Sequence, residues 1–92
     1  MLIRIADEHD LDAIAVHDRH ISKEALRRSI AAGQVLIAHA ENKLAGWLRW
    51  SLFWDEIPFM NLLFLLEDYR GHGAGRALVS TWEARMQEAG HK

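Results

Sequence analysis

From Phe59 onward the chain passes from an apolar run, through Glu67-Asp68-Tyr69-Arg70-Gly71-His72-Gly73-Ala74-Gly75-Arg76, into an amphipathic stretch that ends at Gly90. No other part of the sequence limits the fold so strongly. Alternating glycines at 71, 73 and 75, set between a strand and a helix, expose a row of backbone N–H groups at the helix N-terminus. Unpaired amides and the positive end of the helix dipole converge there, and that geometry favours an anion. The expected ligand is a phosphate-bearing cofactor. A glycine-rich turn that only caps a helix is the alternative.

Spacing decides between phosphate motifs. The dinucleotide fingerprint G-x-G-x-x-G would need a further glycine where Arg76 or Leu78 stands, and the P-loop would need Lys-Ser/Thr where Gly75 is followed by Arg76-Ala77. Arg70-x-x-Gly73-x-Gly75 instead matches Q/R-x-x-G-x-G/A, and the run Glu67 to Val79 resembles the pyrophosphate loop of the GNAT family of N-acetyltransferases.

The remaining elements follow from pattern and punctuation. Leu2 to Ile5 reads as a strand, and Asp7 or Asp10 can cap a helix carrying Leu11, Ile14 and Ala15. Ser22 caps a second helix through Ala32, which Gly33 stops. Gln34 to Ala40 and Leu44 to Trp54 form a hairpin about Glu41-Asn42-Lys43, and Asp55 to Pro58 is the next turn. Phe59 to Leu66 has almost no polar relief, as expected for a central strand covered on both faces. A helix from Gly73 to Ala89 then turns Leu78, Val79, Trp82 and Met86 to the sheet. The fold class is therefore α/β, a mixed and partly antiparallel sheet with helices on both faces, in the order β-α-α-β-β-β-α.

That order resembles the first part of the GNAT fold, with residues 1–92 as one incomplete domain and 59–90 as its acetyl-CoA-binding strand, loop and helix. Complete members continue past this helix with another parallel strand, a helix and a hairpin, and often take a tyrosine general acid from there. Here the sequence stops at Gly90-His91-Lys92, which leaves the strand Phe59 to Leu66 with an open apolar edge. Such an edge is a template for pairing. Self-association through it, as a homo-oligomer, or origin in a longer protein is expected.

By the same resemblance, the backbone of Gly71, His72, Gly73, Ala74, Gly75 and Arg76 cradles the pyrophosphate of acetyl-CoA. Arg70 adds charge at the loop entrance or braces the turn. A Cβ at Gly73 or Gly75 would block the approach of the phosphates. Leu65, Leu66 and Glu67 offer backbone to the pantetheine arm, and one amide of that stretch serves as oxyanion donor. Asn61 stands where many members carry a glutamate base. Asparagine takes no proton at neutral pH, so its expected role is a hydrogen bond to substrate or water, with a structural amide as the alternative. Asp55 and Glu56 are other proton acceptors, though a charged turn explains them as well. Tyr69 reads as a packing residue. The implied activity is N-acetylation of a small-molecule or peptide amine by direct attack in a ternary complex. Absence of cysteine removes a thiol intermediate.

Composition narrows the partners. The net charge of −2, with scattered arginines, offers no basic surface for nucleic acid. No apolar run approaches the ~20 residues that span a bilayer, and Met1 to Ala6 is too short for a signal peptide. A cytoplasmic protein is expected. His17 and His20 lie three apart without a third ligand at motif spacing, so no metal is expected. On the hairpin, alternation sets Trp50, Leu52 and Trp54 on one face and Trp47, Arg49 and Phe53 on the other. These aromatics are core, a wall of the acceptor pocket or a subunit contact.

Overall fold

The computed structural model describes residues 2–19, 21–54, 56–71 and 73–90. Strand β1 (Leu2–Ile5) leads through a 3₁₀ turn (Glu8–Asp10) into α1 (Leu11–Ala15) and then α2 (Lys23–Ala31). Strands β2 (Val35–Ala40), β3 (Lys43–Phe53) and β4 (Ile57–Leu65) follow, then a 3₁₀ turn (Glu67–Tyr69) and α3 (Ala74–Glu88). The sheet order is β1-β2-β3-β4, and each neighbouring pair is antiparallel. The expected α/β order is thus present, with the antiparallel part of the expected sheet.

Local chemistry explains the boundaries. Asp7 caps the first turn by accepting from His9 N–H, while Asp10 reaches back to the Asp7 N–H, a reciprocal capping box. Ser22 Oγ accepts from the Ala25 N–H at 3.1 Å and starts α2. Glu41 and Asn42 both take positive φ, 54° and 65°, which suits the two-residue hairpin turn between Ala40 and Lys43. Ile57 and Pro58, expected in a turn, instead pair with Phe53 and Leu52 as the start of β4. Proline fits there because an edge strand does not need its missing N–H. Trp54, expected on the aromatic face of β3, lies beyond that strand at φ 53° and is 81% exposed.

Two cores sandwich the sheet. Leu11, Ile14, Leu26 and Ile30 from α1 and α2 pack on Val35, Ile37 and Trp47, with Leu62 and Phe64 at the margin. On the other face Leu78, with Val79, Trp82 and Met86 of α3, covers Leu36, Ala38, Leu48 and Trp50. Strand alternation sends Trp47 and Trp50 to opposite cores, as expected.

The expectation for β4 needs correction. It is not a covered central strand but the edge of the described sheet, and Ile57, Phe59, Met60 and Leu63 are exposed. It has β3 on one side only, and α3 approaches it where Leu63 and Leu65 face Gly75. The open apolar edge inferred from the sequence is therefore present.

Candidate functional site

The site begins where β4 ends. In an antiparallel ladder successive residues alternate between facing the partner strand and facing away. The Leu66 N–H donates to the Ala45 carbonyl at 2.9 Å, so with Leu65 opposite Gly46 the amides of Leu63 and Leu65 turn to the open edge. The Leu66 carbonyl in turn accepts from the Tyr69 N–H at 2.9 Å. Both backbone groups of Leu66 are thus engaged within the chain. Arg70 Nε donates to the Leu65 carbonyl at 3.1 Å, so of its two expected roles it braces the turn. Glu67 is exposed, and its carbonyl accepts from the Arg70 N–H. Tyr69 packs into the core beneath α3.

Next comes the anion position. Gly73 is the N-cap of α3 at φ 83°, with no side chain to satisfy the first-turn amides. Gly71 takes φ 80°, and a Cβ built on either glycine meets nothing within 4 Å. A left-handed backbone and open space coincide there, which leaves room for a ligand to approach the main chain. Ala74 is fully buried and can contribute only its amide. Arg76 is exposed in the first helical turn, where no acidic residue stands. A cation at a helix N-terminus opposes the dipole by about 0.3–1 kcal/mol unless an anion sits beside it. That local conflict makes Arg76 a candidate for contact with an anion.

Gly75 also has a packing role that the sequence did not announce. A Cβ there would point at Leu65 Cδ1, 3.3 Å away, and Leu63 Cδ2, 3.6 Å away. Its smallness lets α3 lie close on β4. His72 lies outside the described residues, as do His20 and Asp55.

Asn61 sits at a break in register. Leu62 pairs with Arg49 and Met60 with Trp50, so Asn61 is the extra residue of a β-bulge. Bulges bend a strand and re-aim its side chains. Asn61 is exposed, so burial imposes no demand on its amide. Gly46 was not singled out by sequence reasoning. A Cβ there would collide with the Phe64 carbonyl oxygen and come within 2.8 Å of Leu65 Cδ2, so β3 can approach the end of β4 only through glycine. The bulge had a sequence signal in the single polar residue of an apolar run. Gly46 had none before the pairing was known.

Strong electrostatics lie elsewhere. Arg4 grips Asp10 through two 2.8 Å hydrogen bonds and donates to His39 Nε2 at 3.0 Å. That hydrogen bond from Arg4 holds the Asp10 carboxyl below its ordinary range. The network joins β1 to β2, at the opposite edge of the sheet from β4. A cleft of about 460 Å³ is also remote: it lies between Ala6–Leu11 and the end of α2, lined by Arg27 and Ile30, and shares no residue with the glycine loop. The loop is thus the stronger candidate, because an extended cofactor needs exposed amides along an edge rather than an enclosed cavity. Among the described residues no three His, Cys, Asp or Glu converge as a metal site, and no helix is long and apolar enough to cross a membrane.

Known structures share this arrangement. The N-acetylglutamate synthase of Neisseria gonorrhoeae, solved with coenzyme A and N-acetyl-glutamate, superposes with a TM-score of 0.88 at 21% identity, over 98% of this chain and 23% of that one. A PaiA N-acetyltransferase of Thermoplasma acidophilum, solved with coenzyme A, gives 0.82 at 19% identity, over 98% of this chain and 74% of that one. An aminoglycoside acetyltransferase from an uncultured soil metagenomic sample, in complex with sisomicin, gives 0.76 at 18% identity, over 99% and 72%. At such identities the likeness speaks for the fold. The chain spans under a quarter of the synthase and 60% of a Bacillus cereus GNAT acetyltransferase. No curated protein sequence matches it. The family model described as Acetyltransferase (GNAT) family matches residues 2–92, nearly the full chain, and the protein belongs to that family.

Proposed function

We propose that the chain is the cofactor-binding part of an N-acetyltransferase that moves an acetyl group from acetyl-CoA to a primary amine, by direct attack in a ternary complex in the cytoplasm. One observation carries the reading: the uncapped N-terminus of α3 at Gly73 adjoins the edge where Leu63 and Leu65 turn their amides outward. The open space around Gly71 and Gly73, together with exposed Arg76, fits a pyrophosphate. Bound there, acetyl-CoA would supply the activated acyl group as a thioester.

The chain's own residues bind and orient. Amides from Gly73 to Arg76 hold phosphate oxygens, while Leu63 and Leu65 align the pantetheine amides in the manner of an added strand. Arg70 fixes the bend between these two parts. Asn61, carried outward on the bulge, hydrogen-bonds the acceptor or a water beside it. A strand from a longer chain, or from a second copy of this one, covers the rest of the β4 edge and excludes water. The acceptor is a small-molecule or peptide amine, in line with the amino-acid product and the aminoglycoside named with two of the structural neighbours.

Calorimetric titration with acetyl-CoA tests the reading, with a pantetheine derivative lacking the pyrophosphate as control. Saturable binding, weaker for the control and lost in Gly73→Val while helicity persists, is expected. Equal affinity of the two ligands would remove the glycine loop from the site. A second reading, a non-catalytic acyl-CoA-binding or assembly module, is favoured by one feature: the bulge carries an amide and not a carboxylate. Binding without transfer to any of a panel of primary amines would select it.

A further inference from the structure

Beyond the cofactor loop, an unassigned group of side chains gathers on the opposite face of β4. His17, in the turn after α1, is exposed, and its imidazole lies 6.1 Å from the Phe64 ring and nearly parallel to it. It is also 6.2 Å from Trp47, which stacks on Phe64 at 4.6 Å. Phe64 stands between Leu63 and Leu65, so the imidazole hangs over the stretch whose amides face the open edge. Its mounting is firm: the next residue, Asp18, is buried and accepts from Arg49 Nε at 3.4 Å. Arg49 pairs with Leu62, adjacent to the Asn61 bulge. Beneath the imidazole, Trp47 Nε1 is fully buried and has no hydrogen-bond partner among the described residues.

We infer that His17, exposed on the α1/α2 face of β4, takes the proton from the acceptor amine. The inference rests on the acetyl-transfer reading above and adds to it the group that Asn61 cannot provide. An amine reaches this site mostly as ammonium, which is not nucleophilic. One proton passes from the ammonium nitrogen to an imidazole nitrogen of His17, leaving a neutral amine and an imidazolium, with no other bond changed. Imidazole is the side chain suited to that exchange near neutral pH. Next to it in the chain, Asp18 pairs with Arg49 of β3, while β4 presents Phe64 to the imidazole.

The test uses binding, so it does not depend on turnover. The probes are coenzyme A and a bisubstrate in which the coenzyme A sulfur is joined through an acetyl bridge to a primary alkylamine. The bisubstrate nitrogen is an amide, whose N–H donates to the imidazole, and a neutral hydrogen bond of this kind is worth about a twofold to tenfold gain for the bisubstrate over coenzyme A in the unaltered chain. In His17→Gln that gain is expected to vanish while coenzyme A binds as before. Trp47→Phe, which keeps the stack but removes the indole N–H, should retain most of the gain. If the unaltered chain binds coenzyme A but gains nothing from the amine, or if His17→Gln gains as much, the inference is overturned and the cofactor reading stands. If neither probe binds, the cofactor reading has failed and this inference falls with it.

Discussion

Strands β2 and β4 are both apolar, yet they have opposite fates. Val35, Leu36, Ile37 and Ala38 of β2 are at most 1% exposed, whereas Ile57 and Phe59 of β4 are 54% and 58% exposed. Composition does not separate them, but neighbours do. Strand β2 has β1 and β3 on its two sides, α1 and α2 over one face and α3 over the other. Among the described strands β4 has only β3 beside it, with Leu62 and Phe64 at the margin of the α1/α2 core and α3 approaching its final residues at Gly75. The less finished strand is also the one that carries the bulge, the outward amides and the anion position. The proposed cofactor site and the uncovered edge are therefore the same region.

The largest effect should come from the buried side of this comparison. Trp47→Ala removes a fully buried indole stacked on Phe64, and should cost about 3–5 kcal/mol of stability in urea or thermal unfolding. A cost below that of an ordinary surface change would mean that the α1/α2 core is not packed as described.

Gly46→Ala probes the seam between the two regions. The added methyl meets the Phe64 carbonyl and Leu65, and overpacking of this kind typically costs about 1–3 kcal/mol. Because Leu65 borders the glycine loop, acetyl-CoA affinity should fall too. Loss of stability with unchanged affinity would separate the seam from the site.

A smaller effect, confined to acid, belongs to the far edge of the sheet. The folded value of Asp10 is depressed, chiefly by its hydrogen bonds to Arg4. A depressed carboxylate contributes stability that is present above its unfolded pKa, about 4, and is lost as pH falls through the lower folded value. The unfolding midpoint should therefore drop on acidification below the ordinary carboxylate range, and Asp10→Asn should flatten that part of the curve. An unchanged acid limb in the variant would assign the loss to other carboxylates.

Much of this comparison was legible in the sequence, for reasons that differ by residue. Ser22, Gly33 and the Glu41-Asn42 turn announce themselves because capping and positive φ are local demands. The glycine loop was readable because both its ligand chemistry and its backbone geometry are encoded within a few residues. The intrachain hydrogen bonds of Leu66 were not legible because the direction of an amide depends on register, and register is set by the partner strand. Gly46 was missed for the same reason: its need for a bare Cα arises from Phe64 and Leu65, which are distant in sequence. Strand β4 was expected to be covered because apolarity records what a strand can bury, not what is present to bury it.

The smallest predicted effect therefore carries the most information about that edge. If β4 stands uncovered in solution, Phe59→Ala deletes a side chain already largely in water, and stability should change by no more than about 0.5 kcal/mol. A loss approaching that of a core truncation, about 3–5 kcal/mol, would show that Phe59 is buried by something outside the described chain. Protein concentration then identifies the cover. A midpoint that rises with concentration in the unaltered chain, and less so in Phe59→Ala, points to a second copy, because mass action stabilises only a folded state that associates. A small and concentration-independent effect would leave the edge open, ready for the cofactor and for whatever strand completes the sheet.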